Sequence, residues 1–338
     1  MRRATLADVA AYAGVSPAAV SYYFRGTKKL SSKLEEKLNE GAKILNYTPI
    51  HGSIKPERAR RIKLINMCVN VENNDDVKDD IYIFCLMNGI LECLTEQGYQ
   101  LAMSRIVEDD QKSRELFIAG LDHSAGVIIC NNRKKHHLED ELKERKIPYV
   151  LLGAPEKAES DFYVDIDIQG VGYQATEYLL DKGHRRILFL NLAESMLQSQ
   201  KRREGFLLAY EHRGLEFNDA DHVFAPISTE TCCRTVIDYI KRDKSYTAIV
   251  TANEIQAQGV IRAMRELKIA IPSKMAVISM GGTMLGAITV PSLTTIDFNP
   301  HKHGYETARL LLDVLEKKRI QPFHLFLPGT LVERDSAK

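Results

Sequence analysis

No apolar run in these 338 residues approaches the roughly 20 needed to cross a bilayer, so no membrane span is expected. No secretory leader is visible: the basic start MRRATLADVAAYAGVS meets charge at Asp8 before an apolar region of signal length can form. The cytoplasm is the expected location. The six cysteines (Cys68, Cys85, Cys93, Cys130, Cys232 and Cys233) contain no CxxC pair and have no histidine at zinc spacing. They are expected to be reduced, mostly buried thiols, with no metal and no disulfide. Neither a GxxxxGK[ST] nor a GxGxxG phosphate loop is present, and no cofactor is expected. Histidines offer little chemistry: His136-His137 at a charged helix start and His301-x-His303 in a loop lack a Ser, Cys or carboxylate constellation, and both are read as solvated surface. No enzyme is expected.

What remains is an ordinary globular composition, 44% hydrophobic and 27% charged, in a chain long enough for two or three packed units. The net charge of +1 conceals an asymmetry. Residues 1–63 hold 13 Lys/Arg against 5 Asp/Glu, a net of +8, and the rest carries 33 against 40, a net of −7. A basic head on an acidic body sets one end against phosphates and keeps the other clear of them.

The head has the punctuation of three short helices. Thr5 with Asp8 forms a capping-box-like start ahead of Leu6, Val9, Ala10 and Ala13, and Gly14 stops that helix. Ser16-Pro17 supplies an N-cap and a first-turn proline for a second helix that ends at Gly26. Ser32 with Glu35 opens a third, whose Leu34, Leu38, Ala42 and Leu45 recur at helical spacing. A tight first turn between short helices makes a helix-turn-helix unit.

These residues, T-L-x-D-V-A-x-x-A-G-V-S-x-x-x-V-S followed by L-S-x-K and L-N-Y-x-P, resemble the head of the lactose-repressor (LacI) family without a gap from Thr5 to Pro49. The resemblance implies a transcription regulator, a repressor, with operator DNA as its partner. It places Pro17, Ala18 and Tyr22 at the positions that face base edges in the major groove, and Thr5, Ser16, Ser21, Arg25 and Ser31 at phosphate-contacting positions. Arg25 stands where the family usually has asparagine. The family commonly has polar side chains and an arginine at the three groove-facing positions, so a shifted operator preference is expected.

The family's linker usually becomes a short helix on DNA and brings an apolar wedge to the minor groove. Here it reads Ile50-His51-Gly52-Ser53-Ile54-Lys55-Pro56, and Gly52 and Pro56 both weaken a helix. Two readings stand: Ile54 is the wedge, or the segment is a flexible basic linker that binds phosphates without kinking the duplex.

From Ile62 apolar strands alternate with amphipathic helices, expected near 82–97, 110–121, 138–145, 170–182, 201–213, 229–242 and 254–267. Such alternation, at this length, argues for two parallel sheets flanked by helices, with ligands at the carboxyl ends of the strands. Gly183-His184-Arg185-Arg186-Ile187, Arg202-x-x-Gly205-Phe206, Asn253-Glu254-x-x-Ala257-x-Gly259, Pro291-x-Leu293-Thr294-Thr295 and Arg334-Asp335-Ser336 extend the resemblance to the family's periplasmic-binding-protein-like body of two doubly wound lobes. The implied division is 1–47 head, 48–63 linker, 64–163 with 292–322 first lobe, and 164–291 with 323–338 second lobe, the chain crossing near 163, 291 and 322.

By the same resemblance Arg202 and Asn253 match effector-contacting positions, and Tyr82 and Val164 pocket-lining ones. Gly281, in Ser279-Met280-Gly281-Gly282-Thr283, stands where the family usually has an aspartate that grips sugar hydroxyls. Losing that charge favours a phosphorylated or carboxylated metabolite over a sugar as the small-molecule effector. A body that answers to a protein partner, or a solute-binding protein without a regulatory role, are the alternatives. No heptad tail follows the family's Arg-x-Ser close, so a homodimer reading a near-palindromic operator is expected.

Overall fold

The computed structural model describes residues 4–25, 30–45, 47, 63–71, 81–107, 110–130, 138–155, 161–194 and 196–338. They fall into two compact units, Met1–Ile62 and Lys63–Lys338. Ile54, with residues 48–62 of the linker, and His136-His137 lie outside the described residues.

In the first unit, α1 (Leu6–Ala13), α2 (Pro17–Arg25) and α3 (Ser32–Ile44) follow one another closely. The Asp8 carboxylate accepts from both the Thr5 amide and the Thr5 hydroxyl at 2.7 Å, fixing the start of α1. Gly14 ends that helix in the left-handed conformation, where a Cβ would be strained. Val9, Ala10, Ala13, Val20, Phe24 and Leu38 form a small core. Gly41 lets α3 lie against the Tyr12 ring of α1, which a Cβ would meet at 2.5 Å. The third helix begins differently from the expectation. Ser31, not Ser32, is its cap, and the Glu35 carboxylate reaches past it to the Leu30 amide at 3.4 Å.

The second unit contains two six-stranded sheets. The first is built from β1 (Lys63–Val71), β2 (Tyr99–Val107), β3 (Ser124–Cys130), β4 (Tyr149–Leu152), β5 (Tyr163–Ile166) and β11 (His324–Leu327), in the order β11-β5-β4-β3-β1-β2. The second joins β6 (Ile187–Asn191), β7 (His222–Phe224), β8 (Ala248–Thr251), β9 (Ala276–Gly281), β10 (Thr294–Asp297) and β12 (Thr330–Val332) in the matching order β12-β10-β9-β8-β6-β7. Among the described residues every pairing is parallel except β10 with β12. Strands such as YVLL, ILFLN and AIVT are buried throughout, because helices cover both faces of a parallel sheet.

On the first sheet lie α4 (Ile81–Glu96), α5 (Gln111–Gly120), α6 (Leu138–Glu144) and α12 (Pro300–Leu315). The second carries α7 (Ile168–Asp181), α8 (Leu197–His212), α9 (Thr229–Arg242) and α10 (Glu254–Leu267), and a short α11 (Leu285–Ile288) follows β9. Polar caps mark these starts: Asp167 accepts from Gly170, Ser228 from Thr231, Asn253 from Gln256 and Asn299 from Lys302.

The three crossings come later than expected. The first falls at 167, after β5 has joined the first sheet. The second falls at 298–299, not near 291, because Thr294–Asp297 pairs with β9 and so completes the second sheet. The third falls at 328–329, not near 322, because His324–Leu327 pairs with β5 in the first. In each case the chain pairs with a neighbouring strand, β5 with β4, β10 with β9 and β11 with β5, before it leaves the sheet.

Each lobe also contains one crossing of helices set by a glycine pair. A Cβ on Gly89 would lie 1.9 Å from the His301 carbonyl oxygen, and one on Gly304 2.1 Å from that of Leu86, so α4 and α12 touch through their backbones. Gly172 and Gly205 repeat the arrangement between α7 and α8, at 2.5 Å from the Arg202 carbonyl and 2.0 Å from that of Gln169. His303 and Arg202 stand next to these two contacts.

Candidate functional site

In the head, Pro17 and Ala18 open α2, and Tyr22 follows Ala18 by one turn on the same face. All three are exposed, Tyr22 by 50%, a large aromatic turned outward from a core that has room for Phe24. Thr5, Ser16 and Ser31 are exposed at the starts of the three helices, and Ser21 is half-buried. Helix starts present amides to anions, which suits phosphate oxygens. Ser16 also caps α2, its hydroxyl accepting from the Ala19 amide at 3.3 Å. Arg25 is the last residue of α2.

In the body, the side chains of interest come from the carboxyl ends of the strands and the first two turns of helices. Arg202 is 6% exposed, and its Nε and Nη1 are buried with no hydrogen-bond partner. Burial pushes its guanidinium down to about 10, while Tyr82 and Asp165, close enough to act on it, favour the charge. A buried N–H left unpaired costs roughly 1–3 kcal/mol, so such a group marks a place where a ligand can supply acceptors. Asn253 Nδ2, whose own Oδ1 caps α10, and Ser199 Oγ, one turn before Arg202, share the condition, as do Asn66 Nδ2 and one carboxylate oxygen each of Glu139 and Glu177.

One framework holds the elements that carry these donors. Asn191, at the end of β6, donates from Nδ2 to the Ser199 carbonyl at 2.7 Å. Its own carbonyl accepts from Gln256 Nε2 at 3.4 Å, and the Gln256 amide donates to Asn253 Oδ1 at 2.9 Å. Gln256 Nε2 also donates to the Ala225 carbonyl at 2.8 Å. The starts of α8 and α10 are therefore tied together through buried amides.

The first lobe contributes a second cluster. Tyr82, in the first turn of α4, bonds through its hydroxyl to His303 Nδ1 at 3.1 Å, and His303 Nε2 bonds to the Val164 carbonyl at 3.0 Å. The Tyr82 ring meets Phe298 edge-on at 5.7 Å. Val164 is fully buried within β5, so it enters the cluster through its backbone and its side chain is core. Asp165 accepts from the Ala154 and Ile166 amides. Burial raises its carboxyl, against those amides and the nearby His303 and Arg202. His303 is 2% exposed and sits in α12, which corrects the expectation of a solvated loop; the Asn299-Pro300 pair is a helix start that the reading of that loop missed. His301 lies 3.0 Å from Glu92.

Gly281 closes β9. A Cβ there would lie 2.1 Å from Glu254 Oε2, so the Glu254 carboxylate fills the place beside it. That carboxylate accepts from the amides of Gly282 at 2.8 Å and Thr283 at 2.9 Å. Burial raises it, and those amides pull it back. Gly281 thus does not leave its surroundings without an acid: one arrives from α10. The charge argument for an anionic effector loses its ground here.

Five of the six cysteines are buried and Cys85 is half-buried. Among the described residues no group of three or more His, Cys, Asp or Glu side chains is arranged to hold a metal, and no helix is long and apolar enough to cross a membrane.

Asp165, Ser199, Asn191, Glu254 and Gln256 escaped the sequence reading, and His303 was read there as solvated surface. Only Glu254 carried a signal, as the neighbour of Asn253 in a matched motif.

Two family profiles match the chain: bacterial regulatory proteins, lacI family, over residues 5–49, and periplasmic binding protein-like domain over residues 176–337. The chain is 27% identical to the HTH-type transcriptional regulator CelR of Thermobifida fusca, over 99% of its own length and 98% of the relative's. It is 28% identical to the ribose operon repressor of Escherichia coli (strain K12), over 99% of its own length and 100% of the relative's. A solved transcriptional regulator CelR–cellobiose complex is 25% identical and superposes with a TM-score of 0.75, covering 99% of this chain and 100% of that one.

Proposed function

The chain belongs to the lacI family of bacterial regulatory proteins, and from that premise we propose that its body binds a neutral, polyhydroxylated effector, a sugar, that sets the affinity of its head for operator DNA. It is a DNA-binding transcription regulator, a repressor, and it acts as a dimer. Two heads then read two half-sites of one operator, with Pro17, Ala18 and Tyr22 toward the bases and Thr5, Ser16, Ser21, Arg25 and Ser31 toward phosphates. No catalytic step is assigned to it.

The observation that carries the effector class is the set of unpartnered donors on Arg202, Asn253 and Ser199 beside carboxylates already in place. Asp165 offsets the Arg202 charge, and Glu254 stands where Gly281 has no side chain. Adding a phosphate there sets a dianion against two buried carboxylates. A sugar hydroxyl accepts from the donors and donates to the acids without adding charge. The CelR relative, solved with cellobiose, supports the same class.

Isothermal titration of the full chain with cellobiose, ribose and glucose 6-phosphate tests the reading. A neutral sugar binds, glucose 6-phosphate does not, and Arg202→Met abolishes the heat of the sugar. Binding of glucose 6-phosphate alone overturns the proposed class.

A further inference from the structure

We propose that His303 is a positioning residue of the proposed effector site, which commits the Tyr82 hydroxyl proton and so makes the Tyr82 oxygen read hydroxyl donors on a ligand. The inference rests on the reading of these residues as the effector site. It begins from the Val164 carbonyl, which has no proton to give. Because it lies 3.0 Å from His303 Nε2, the imidazole must carry its proton on that nitrogen. In a neutral ring Nδ1 is then an acceptor, and the hydroxyl 3.1 Å away, on Tyr82, must be the donor. The single Tyr82 proton is used inside the protein. Whatever else meets that oxygen meets it as an acceptor.

The surroundings keep the ring neutral and in place. His303 is 2% exposed, and among the described residues Asp165 acts on its ring, while Tyr82 and Asp165 act on Arg202. Burial is the largest influence on the imidazole and disfavours its charged form, more than Asp165 favours it. The backbone contact between Gly304 and Leu86 seats the next residue of α12 against α4, and the Thr307 hydroxyl donates to the His303 carbonyl at 2.8 Å. Little freedom is left for the ring to turn.

The consequence is a division of labour within the proposed site. Arg202, Asn253 and Ser199 bring donors, and Tyr82 brings an acceptor whose polarity is fixed by His303. An acceptor-only oxygen, such as that of a phosphate or carboxylate, meets lone pairs at Tyr82. A hydroxyl meets a partner.

Nitrogen NMR of the full chain labelled at histidine tests this without any ligand. The His303 signal, identified by its absence in His303→Gln, is expected as the neutral ring protonated on Nε2 from pH 7 to 8. If His303→Gln does not fold, Tyr82→Phe identifies the ring by moving its Nδ1 resonance. A ring protonated on Nδ1, or an imidazolium in that range, overturns the proposal. Titrations with cellobiose and ribose give the second arm. For the sugar that binds, Tyr82→Phe and His303→Leu each weaken binding by roughly tenfold, the two together no further, and His303→Gln restores most of it. Loss with Tyr82→Phe and none with His303→Leu overturns it as well. If neither sugar binds the unaltered protein, the proposed effector class falls, and the NMR result alone decides the role of His303.

Discussion

The Glu254 carboxylate and Gly281 share one space: Oε2 lies 2.1 Å from where a Cβ on residue 281 would be, while Oε1 accepts from the Gly282 and Thr283 amides. A side chain at 281 and the present position of Glu254 exclude each other. Gly281→Ala is therefore expected to lose about 2 kcal/mol in urea unfolding, the range of a forced core insertion, and Glu254→Ala placed with it is expected to recover part of that loss. Additive losses in the double variant would contradict the shared space.

Glu254 also gives a dependence on pH. Its carboxyl is raised by burial, so the folded protein holds the proton more tightly than the unfolded chain. The sign follows from linkage: stability declines as pH rises above the unfolded value, about 4.3 for glutamate, and the loss is complete above the folded value. Glu254→Gln keeps an oxygen for the two amides and removes the charge. Its unfolding free energy, compared with that of the unaltered protein from pH 4.5 to 8, is expected to gain as pH rises above the unfolded value and then to level off. A constant difference across that window contradicts the buried charge.

His222 acts in the opposite direction. Its Nε2 faces the Asn191 amide nitrogen at 3.1 Å as an acceptor, its ring stacks on Phe189 at 5.2 Å, and burial, its largest influence, holds it near 4. Protonation removes the acceptor. The contribution is present above the unfolded value of about 6.5 and is lost as pH falls toward 4, amounting to about 1–2 kcal/mol once solvent screening of this half-buried ring is allowed for. His222→Asn is expected to flatten that part of the acid unfolding curve, and an unchanged curve contradicts the assignment.

Backbone contact between α7 and α8 sets the place of Arg202. Gly205→Ala puts a Cβ 2.0 Å from the Gln169 carbonyl, and the helices must separate. The expected cost is about 3 kcal/mol in thermal unfolding, with sugar binding weakened beyond what the stability loss explains. A neutral effect on both measurements shows that the crossing is not what holds Arg202.

In the head, Tyr22→Phe removes only a hydroxyl. It is expected to relax selection at one base pair of the half-site by about 1–3 kcal/mol while leaving the salt dependence of binding unchanged. Arg25→Ala is expected to weaken all sequences alike and to lower the salt slope by about 1. Exchange of these two signatures in a binding-site selection contradicts the assigned roles.

Local chemistry made much of this fold legible. The helices expected at 229–242 and 254–267 have those bounds, because Ser228 and Asn253 cap them and a turn follows each. The helix at 300–315 was missed because its signal is a single Asn299-Pro300 step after a strand that itself reads as linker. The second and third crossings were misplaced because Thr294–Asp297 and His324–Leu327 are short strands, fixed by partners remote in the chain. The site divides in the same way. Arg202 and Asn253 are legible through family motifs, whereas Asp165 and His303 act only because distant segments bury them side by side, and no spacing in the sequence encodes that.

The central claim, a head on operator DNA controlled by a sugar in the body, is tested most directly by anisotropy titration on an operator selected from random DNA, across salt concentrations and with cellobiose or ribose present. Affinity is expected to fall steeply with salt, and one of the sugars is expected to change it at least tenfold, about 1.4 kcal/mol of coupling. A salt slope near zero, or an affinity that neither sugar moves, contradicts the account.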